Sequence, residues 1–220
     1  MHGCLTAGVT ASDGSARAWG VVVPLKLLVR AKTRLSAYGD AGRADLALAF
    51  AGDVVDAALA CPSVRRVLVV TDDRRAAQDL ARAGAQVVPD PGTGLDAALE
   101  RGEALLRAED PHLGVAALLG DLPSLRPAVL AQALAQVRTR AFVADTSGLG
   151  TTLLAAAGVP LAPAYGPGSS ARHRASGAAE LPAPATLRRD VDTPEDLGEA
   201  LELGVGPRTS RAVRTLAACS

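Results

Sequence analysis

Two lysines and two aspartates hold most of the chemistry legible in this chain. It contains 21 arginines but only two lysines, Lys26 and Lys32, and both fall in "PLKLLVRAKTRLS", Pro24 to Ser36. A sequence that otherwise uses arginine for positive charge, yet reserves lysine for one loop, points to a need for compact ammonium groups there. An ammonium meets a phosphate as a point charge, where a planar guanidinium fork fits less readily. With Arg34, these lysines form a loop able to meet a triphosphate; the plainer alternative is a solvated basic loop. It is not a Walker loop, because G-x-x-x-x-G-K-[ST] is absent.

The first aspartate is Asp121 in "LLGDLPSL". It stands directly behind the apolar run Gly114–Leu119, which suits a strand buried on both faces. A carboxylate at the mouth of such a strand needs a partner, since an unpaired buried charge is costly. The second is Asp190 in "LRRDVDTPEDL". Thr193 there is a good N-cap, Pro194 fits the first helical position, and Glu195 and Asp196 suit the first turn. Capping accounts for Asp192 to Asp196 but not for Asp190. If Asp190 ends a strand near Asp121, the two can share one hard divalent cation. Magnesium takes one or two carboxylates and completes its shell with phosphate oxygens and water. The alternative pairs Asp121 with Arg188 or Arg189 and leaves Asp190 as a cap.

Two glycine-rich stretches lie between these aspartates. "SGLGTTLL" (Ser147–Leu154) joins two expected strands, so Gly148 and Gly150 suit a hairpin turn. In "YGPGSSARHRASGA" (Tyr165–Ala178), Ser169 or Ser170 can start a helix whose free N–H groups bind an anion. His173 lies there too, and a lone histidine among arginines is more often a hydrogen-bonding residue than a catalyst. No G-x-G-x-x-G opens a helix after the first strand, which disfavours a nicotinamide-dependent oxidoreductase.

These residues must be positioned by a scaffold, and its class is legible. Hydrophobic residues make up 49% of the 220 and aromatics only 2%, so the core must be packed with Ala, Val and Leu, as where helices cover a parallel sheet. Strands are expected at Trp19–Leu25, Val67–Val70, Ala85–Val88, Gly114–Leu119, Ala141–Ala144 and Thr152–Ala156. Helices are expected over Arg43–Ala60, Arg74–Arg82, Leu95–Leu106, Pro127–Val137 and Pro194–Leu203. Such alternation means βαβ units and a mainly parallel sheet. Ligands of such sheets bind beyond the carboxyl ends of the strands. Those ends carry the lysine loop, Thr71–Asp73, Pro89–Asp96 and Asp121.

The 23 basic and 23 acidic side chains cancel, which argues against a nucleic-acid or membrane surface. Cys4, Cys61 and Cys219 lie far apart, with no C-x-x-C pair, which suits a reducing cytoplasm and supports neither disulfides nor a zinc site. Residues 1–18 lack a signal-peptide core and read as a tail; one domain is expected over 19–207, with 208–220 as a C-terminal tail.

The motifs "VVPLKLLVRAKTRLS", "VVTDD", "LLGDLPSL", "FVADTSGLGTT", "YGPGSSARHRASGA", "RRDVDTPEDL" and "LGVGP" follow one another in this order. The pattern resembles the phosphoenolpyruvate/2-phospho-L-lactate guanylyltransferases, which make the nucleotide-linked precursor of the deazaflavin coenzyme F(420), in their actinobacterial branch. The resemblance covers about residues 19 to 207 and is most specific from Gly148 to Thr193. It implies a Rossmann-like three-layer α/β/α sandwich of the nucleotide-diphospho-sugar transferase type and a cytoplasmic enzyme. Its substrates would be GTP and phosphoenolpyruvate, with 2-phospho-L-lactate as the alternative acceptor.

By resemblance, Asp121 and Asp190 match magnesium ligands, and Thr151, Gly166 and Ser169 match contacts to phosphoenolpyruvate. The loop of Lys26, Lys32 and Arg34 matches the nucleotide-phosphate loop that would neutralise departing pyrophosphate. One departure is Asp96: the family's turn reads G-L-N where this chain has "GLD", and an acid cannot donate an amide's hydrogen bonds. A non-catalytic guanine-nucleotide-binding module is the reading from another class, and the two aspartates argue against it.

Overall fold

The computed structural model describes residues 17–28 and 31–218; the expected tail at 1–18 lies, but for its last two residues, outside them. Seven strands form one sheet: β1 (Trp19–Pro24), β2 (Val64–Val70), β3 (Gln86–Val88), β4 (Gly114–Leu118), β5 (Arg140–Ala144), β6 (Thr151–Ala156) and β7 (Ala179–Glu180). Their spatial order is β3-β2-β1-β4-β6-β5-β7. Every pairing is parallel except those of β6, which runs antiparallel to both β4 and β5. The mainly parallel α/β sandwich expected from the alternation is therefore the fold. The glycine turn of residues 147–150 does join a hairpin, β5 to β6.

The helices are α1 (Gly39–Leu59), α2 (Arg74–Ala83), α3 (Leu95–Glu109), α4 (Pro127–Ala135), α5 (Ser169–Ala175), α6 (Ala185–Arg188), α7 (Pro194–Leu203) and α8 (Pro207–Ala218). Their ends follow local chemistry. The Asp73 side chain accepts from Ala76 N to open α2, and Gly84 closes it in the left-handed conformation that glycine adopts without strain. Thr193 and Asp196 form a reciprocal capping box around Pro194 at the start of α7.

Strand residues alternate between two cores, as a period of two requires. Val21, Val23, Val69, Val143 and Leu153 pack with Val54, Leu80, Leu130 and Leu134 on one face. Val22, Leu68, Phe142 and Leu154 pack with Leu99 and Leu106 on the other. A Cβ on Gly102 would fall 2.4 Å from Val22 Cγ1, so only glycine lets α3 lie this close to β1.

Two expectations need correction. Of the expected tail at 208–220, the described residues to 218 belong to a helix instead: 207–218 form α8, and Ala212, Val213 and Leu216 pack on a third cluster built from Leu35, Leu46, Phe50, Val191 and Leu197. A buried carboxylate anchors this helix: Asp53 accepts from Arg208 N and Thr209 N, each at 2.9 Å, and Arg208 reaches Asp56 at 2.7 Å and also Asp79. The three arginines of 208–214, one at every third position, hid its narrow apolar stripe. Second, Asp190 does not end a strand; it follows α6 in a loop. Among the described residues no helix is long and apolar enough to cross a membrane.

Asp53→Ala should lower stability by about 1–2 kcal/mol, because two buried N–H donors lose their acceptor. Thermal unfolding would show it, and an unchanged Tm would mean that α8 docks without Asp53.

Candidate active site

A cleft of about 610 Å³ opens beyond the carboxyl ends of β1 to β4, lined by Pro24–Leu28, Ala31, Lys32, Asp72, Asp90, Gly92, Gly94 and Gly120–Asp121, with Asp192 at one side. This is where a parallel sheet offers unpaired chain ends to a ligand. The lysine loop is pinned across it: Leu28 N donates to Asp73 Oδ2 at 2.9 Å, so the carboxylate that caps α2 also holds the loop. Lys32 then adopts a left-handed backbone (φ 52°, ψ 46°), which is uncommon for a residue with a side chain and found where strain serves a site.

Lys32 answers the question posed by Asp121. Its ammonium lies 2.6 Å from Asp121 Oδ2 and 2.7 Å from Asp192 Oδ1. Burial disfavours the charged ammonium, but Asp121 and Asp192 outweigh it and hold its pKa above the usual lysine value. The candidate arginines are occupied elsewhere. Arg188 donates to the carbonyls of Ala144 and Asp145, and Arg189 pairs with Asp196 and Glu199.

The second aspartate is close by. Val191 N donates to the Asp121 carbonyl at 3.0 Å, which lays the 190–192 segment beside the end of β4. Burial first, and then the Asp121 charge, push the Asp190 carboxyl up to about 7. Asp121 Oδ1 is buried with no hydrogen-bond partner. A buried oxygen without a donor, beside a carboxylate that resists ionising, suits a shared cation. Among the described residues no group of three or more His, Cys, Asp or Glu forms a closed metal cage. Asp121 on the cleft wall, with Asp190 behind the lining but close enough for the Asp121 charge to raise its pKa, instead suits magnesium, which takes one or two carboxylates and keeps positions for phosphate and water.

Of the other loop cations, Lys26 is exposed and lines the cleft, whereas Arg34 is exposed on the 3₁₀ turn of Thr33–Tyr38 and lies outside the lining. Asp192, read from the sequence as part of the helix start, faces Lys32. The signal was its redundancy, since Asp196 already completes the capping box.

A second group forms where β6 begins. Because β6 runs backwards, its first residue, Thr151, shares the edge at which β4 and β5 end. Asp145 shapes the turn before it, accepting from Leu149 N at 3.1 Å and Gly150 N at 2.9 Å. Thr151 Oγ1 meets His173 Nδ1 at 2.9 Å and accepts from Ser169 Oγ at 3.2 Å. Gly166 (φ 111°) turns the preceding loop, and its carbonyl accepts from Ser169 N.

That loop is tied down from both sides. Ala164 N donates to His173 Nε2 at 3.0 Å and Tyr165 N to Asp96 Oδ1 at 2.9 Å, while Arg172 donates to the carbonyls of Ala164, Tyr165 and Pro167. Asp96 thus uses an acceptor oxygen that an asparagine would also carry. One expectation fails here: α5 does start at Ser169, but Ser169 N and Ser170 N donate to the carbonyls of Gly166 and Leu149, so they are not free for an anion. His173 is wholly buried and hydrogen-bonded at both nitrogens.

The fold and cleft define the class. A putative nucleotide-diphospho-sugar transferase from Desulfovibrio desulfuricans G20 has the same fold, with a TM-score of 0.68 at 16% identity, covering 92% of this chain and 96% of that one. A family model described as "Guanylyl transferase CofC like" matches residues 19–218, and the chain belongs to this family of nucleotidyltransferases. Among similar proteins, the phosphoenolpyruvate guanylyltransferase of Streptomyces coelicolor is 58% identical over 205 residues, covering 90% of this chain and 97% of that protein. That of Thermomonospora curvata is 51% identical over 218 residues, covering 96% of each.

The two lysines should separate by assay. Lys32→Met leaves Asp121 without its counter-charge and should cost roughly 2 kcal/mol, less than for a fully buried pair because Asp121 is 21% exposed. Lys26→Met should leave denaturant stability unchanged, so equal losses would contradict the assignment of Lys32 as the partner of Asp121.

Asp190 gives a pH signature. Its folded pKa of about 7 lies above the ordinary 3.8, so the stability its proton confers is full below about pH 4 and is lost as pH rises through 7. Asp190→Asn, always neutral, should therefore stabilise the metal-free protein at pH 8 by on the order of 2 kcal/mol after solvent screening, with the gain fading towards pH 4. A pH-independent difference in Tm would remove Asp190 from the carboxylate pair.

Proposed function

We propose that the protein joins GTP and phosphoenolpyruvate to give enolpyruvoyl-2-diphospho-5'-guanosine and pyrophosphate, an early step of coenzyme F(420) biosynthesis in the cytoplasm. The observation that carries the reading is Asp121 at the lip of the cleft, paired with Lys32 and crowded by Asp190. The shared name of the two relatives supports phosphoenolpyruvate as the acceptor.

Charge dictates the mechanism. A phosphate oxygen of the acceptor attacks the α-phosphorus of GTP in line; the new P–O bond forms as the bond to the β-phosphate oxygen breaks, and pyrophosphate leaves with that electron pair. The attacking phosphate is ionised at neutral pH, so no general base is needed. Both reactants are anions, and catalysis is positioning with cancellation of repulsion. Asp121 and Asp190 would hold magnesium, which supplies charge neutralisation at the reacting phosphates. Lys26, exposed in the cleft, meets the departing pyrophosphate, with Lys32 beside it and Arg34 at the loop's outer end.

Thr151, Ser169 and the tight backbone at Gly166 would seat the acceptor. Planar phosphoenolpyruvate and tetrahedral 2-phospho-L-lactate differ at one carbon, a difference typically worth about 1–3 kcal/mol in such a pocket. The close backbone approach at Gly166 favours the flat acid.

Pyrophosphate release should be fastest with GTP among four nucleotides, and with phosphoenolpyruvate over 2-phospho-L-lactate, and should require a divalent cation. Asp121→Asn and Asp190→Asn should each lower kcat/KM by about 10²–10³-fold with the fold intact. Near-normal turnover in either variant refutes the metal assignment, and dominance of the lactyl product refutes the acceptor.

A further inference from the structure

We propose that His173 is a positioning residue for the acceptor, and that its fixed tautomer turns the Thr151 hydroxyl into an outward hydrogen-bond donor. The inference rests on the reading of Thr151 as an acceptor contact. A backbone N–H can only donate, so the 3.0 Å bond from Ala164 N requires a lone pair on His173 Nε2. In the neutral ring the proton then sits on Nδ1, 2.9 Å from Thr151 Oγ1, and the ring donates to the threonine. Ser169 Oγ donates to the same oxygen at 3.2 Å.

A threonine hydroxyl has two lone pairs and one proton. Both lone pairs of Thr151 are therefore engaged, and its proton has no acceptor among the described residues. Thr151 is only 3% exposed, and a buried donor without an acceptor is costly. An anionic oxygen of a phosphorylated acid is the partner it lacks.

The ring has little freedom to do otherwise. Tyr165 packs edge-on against it at 5.2 Å and Phe142 lies 6.0 Å away on a tilt. Burial lowers its pKa; Asp96 opposes this, and the Arg172 and Arg140 charges add to it, so the neutral form dominates. Protonation would also put an N–H of the ring against the N–H of Ala164. The Ala164–His173–Thr151 chain is thus polarised in one direction, set by the Ala164 peptide from the far side of the ring, and Ser169 donates into the same threonine oxygen.

A histidine that merely fills the core would be replaced best by phenylalanine, which keeps the ring and drops the polarity. The test measures KM for phosphoenolpyruvate and for GTP in the full chain with His173→Phe, His173→Asn, His173→Gln, Thr151→Val and the Thr151→Val/His173→Phe double variant. Thr151→Val should raise the phosphoenolpyruvate KM by ~10–100-fold, the range for losing a hydrogen bond to a charged group. His173→Phe should act in the same direction, and the double variant should be no worse than Thr151→Val alone. KM for GTP should stay within about two-fold throughout, since the effect passes only through Thr151.

His173→Asn, whose amide N–H falls near the Nδ1 position, should recover part of the loss, whereas His173→Gln should not. If His173→Phe fails to fold, that Asn–Gln contrast carries the test. Multiplicative effects in the double variant, full activity of His173→Phe, or equal behaviour of Asn and Gln would overturn the proposal and leave the acceptor site standing. An unchanged phosphoenolpyruvate KM in Thr151→Val would overturn both. Nitrogen chemical shifts of His173 give a readout independent of turnover: the Nδ1–H tautomer supports the proposal, and the Nε2–H tautomer refutes it.

Discussion

Asp121 stands at the end of a strand with no water on either face, and the balancing of its charge organises the cleft. The cation that balances it comes from a loop 89 residues earlier in the chain, and the same ammonium is shared with an aspartate 160 residues from it. Bringing these three together requires β1 beside β4, and the 190–192 segment laid against the end of β4 by the bond from Val191 N to the Asp121 carbonyl. Lys32 reaches both carboxylates from a left-handed backbone, a conformation that persists only where surrounding contacts hold it. Asp190, excluded from this pair, is left with a carboxyl raised first by burial and then by the Asp121 charge.

The reversed strand β6 has a comparable influence on the other half of the site. In a purely parallel sheet the first residue of a strand faces the edge away from the ligand. Reversal places Thr151 on the ligand edge and puts the β5–β6 turn next to the loop before α5. That loop has no free backbone donors at Ser169 and Ser170, which donate to the Gly166 and Leu149 carbonyls; Ala164 N and Tyr165 N go to His173 and Asp96, and Arg172 takes the carbonyls of Ala164, Tyr165 and Pro167. A loop saturated in this way is rigid, and a rigid loop suits catalysis by positioning, where misplacement costs rate even when every group is present.

Local order is what the sequence by itself determined. Hydrophobic period, capping residues and glycines act within a few residues of one another, so the main strands, the hairpin at 147–150 and the start of α7 at Thr193–Pro194 were readable. The reservation of lysine for one loop and the need of Asp121 for a counter-charge were readable too, because charge type and burial are local properties. Tertiary structure decided which cation meets Asp121, that Asp192 joins it, that β6 rather than β5 is the strand running against the rest of the sheet, and that α8 is a docked helix rather than a tail. Each of these depends on which distant segments become neighbours. The tautomer of His173 belongs with them: it is set by one backbone N–H, at Ala164, whose direction exists only once the loop has folded over the ring.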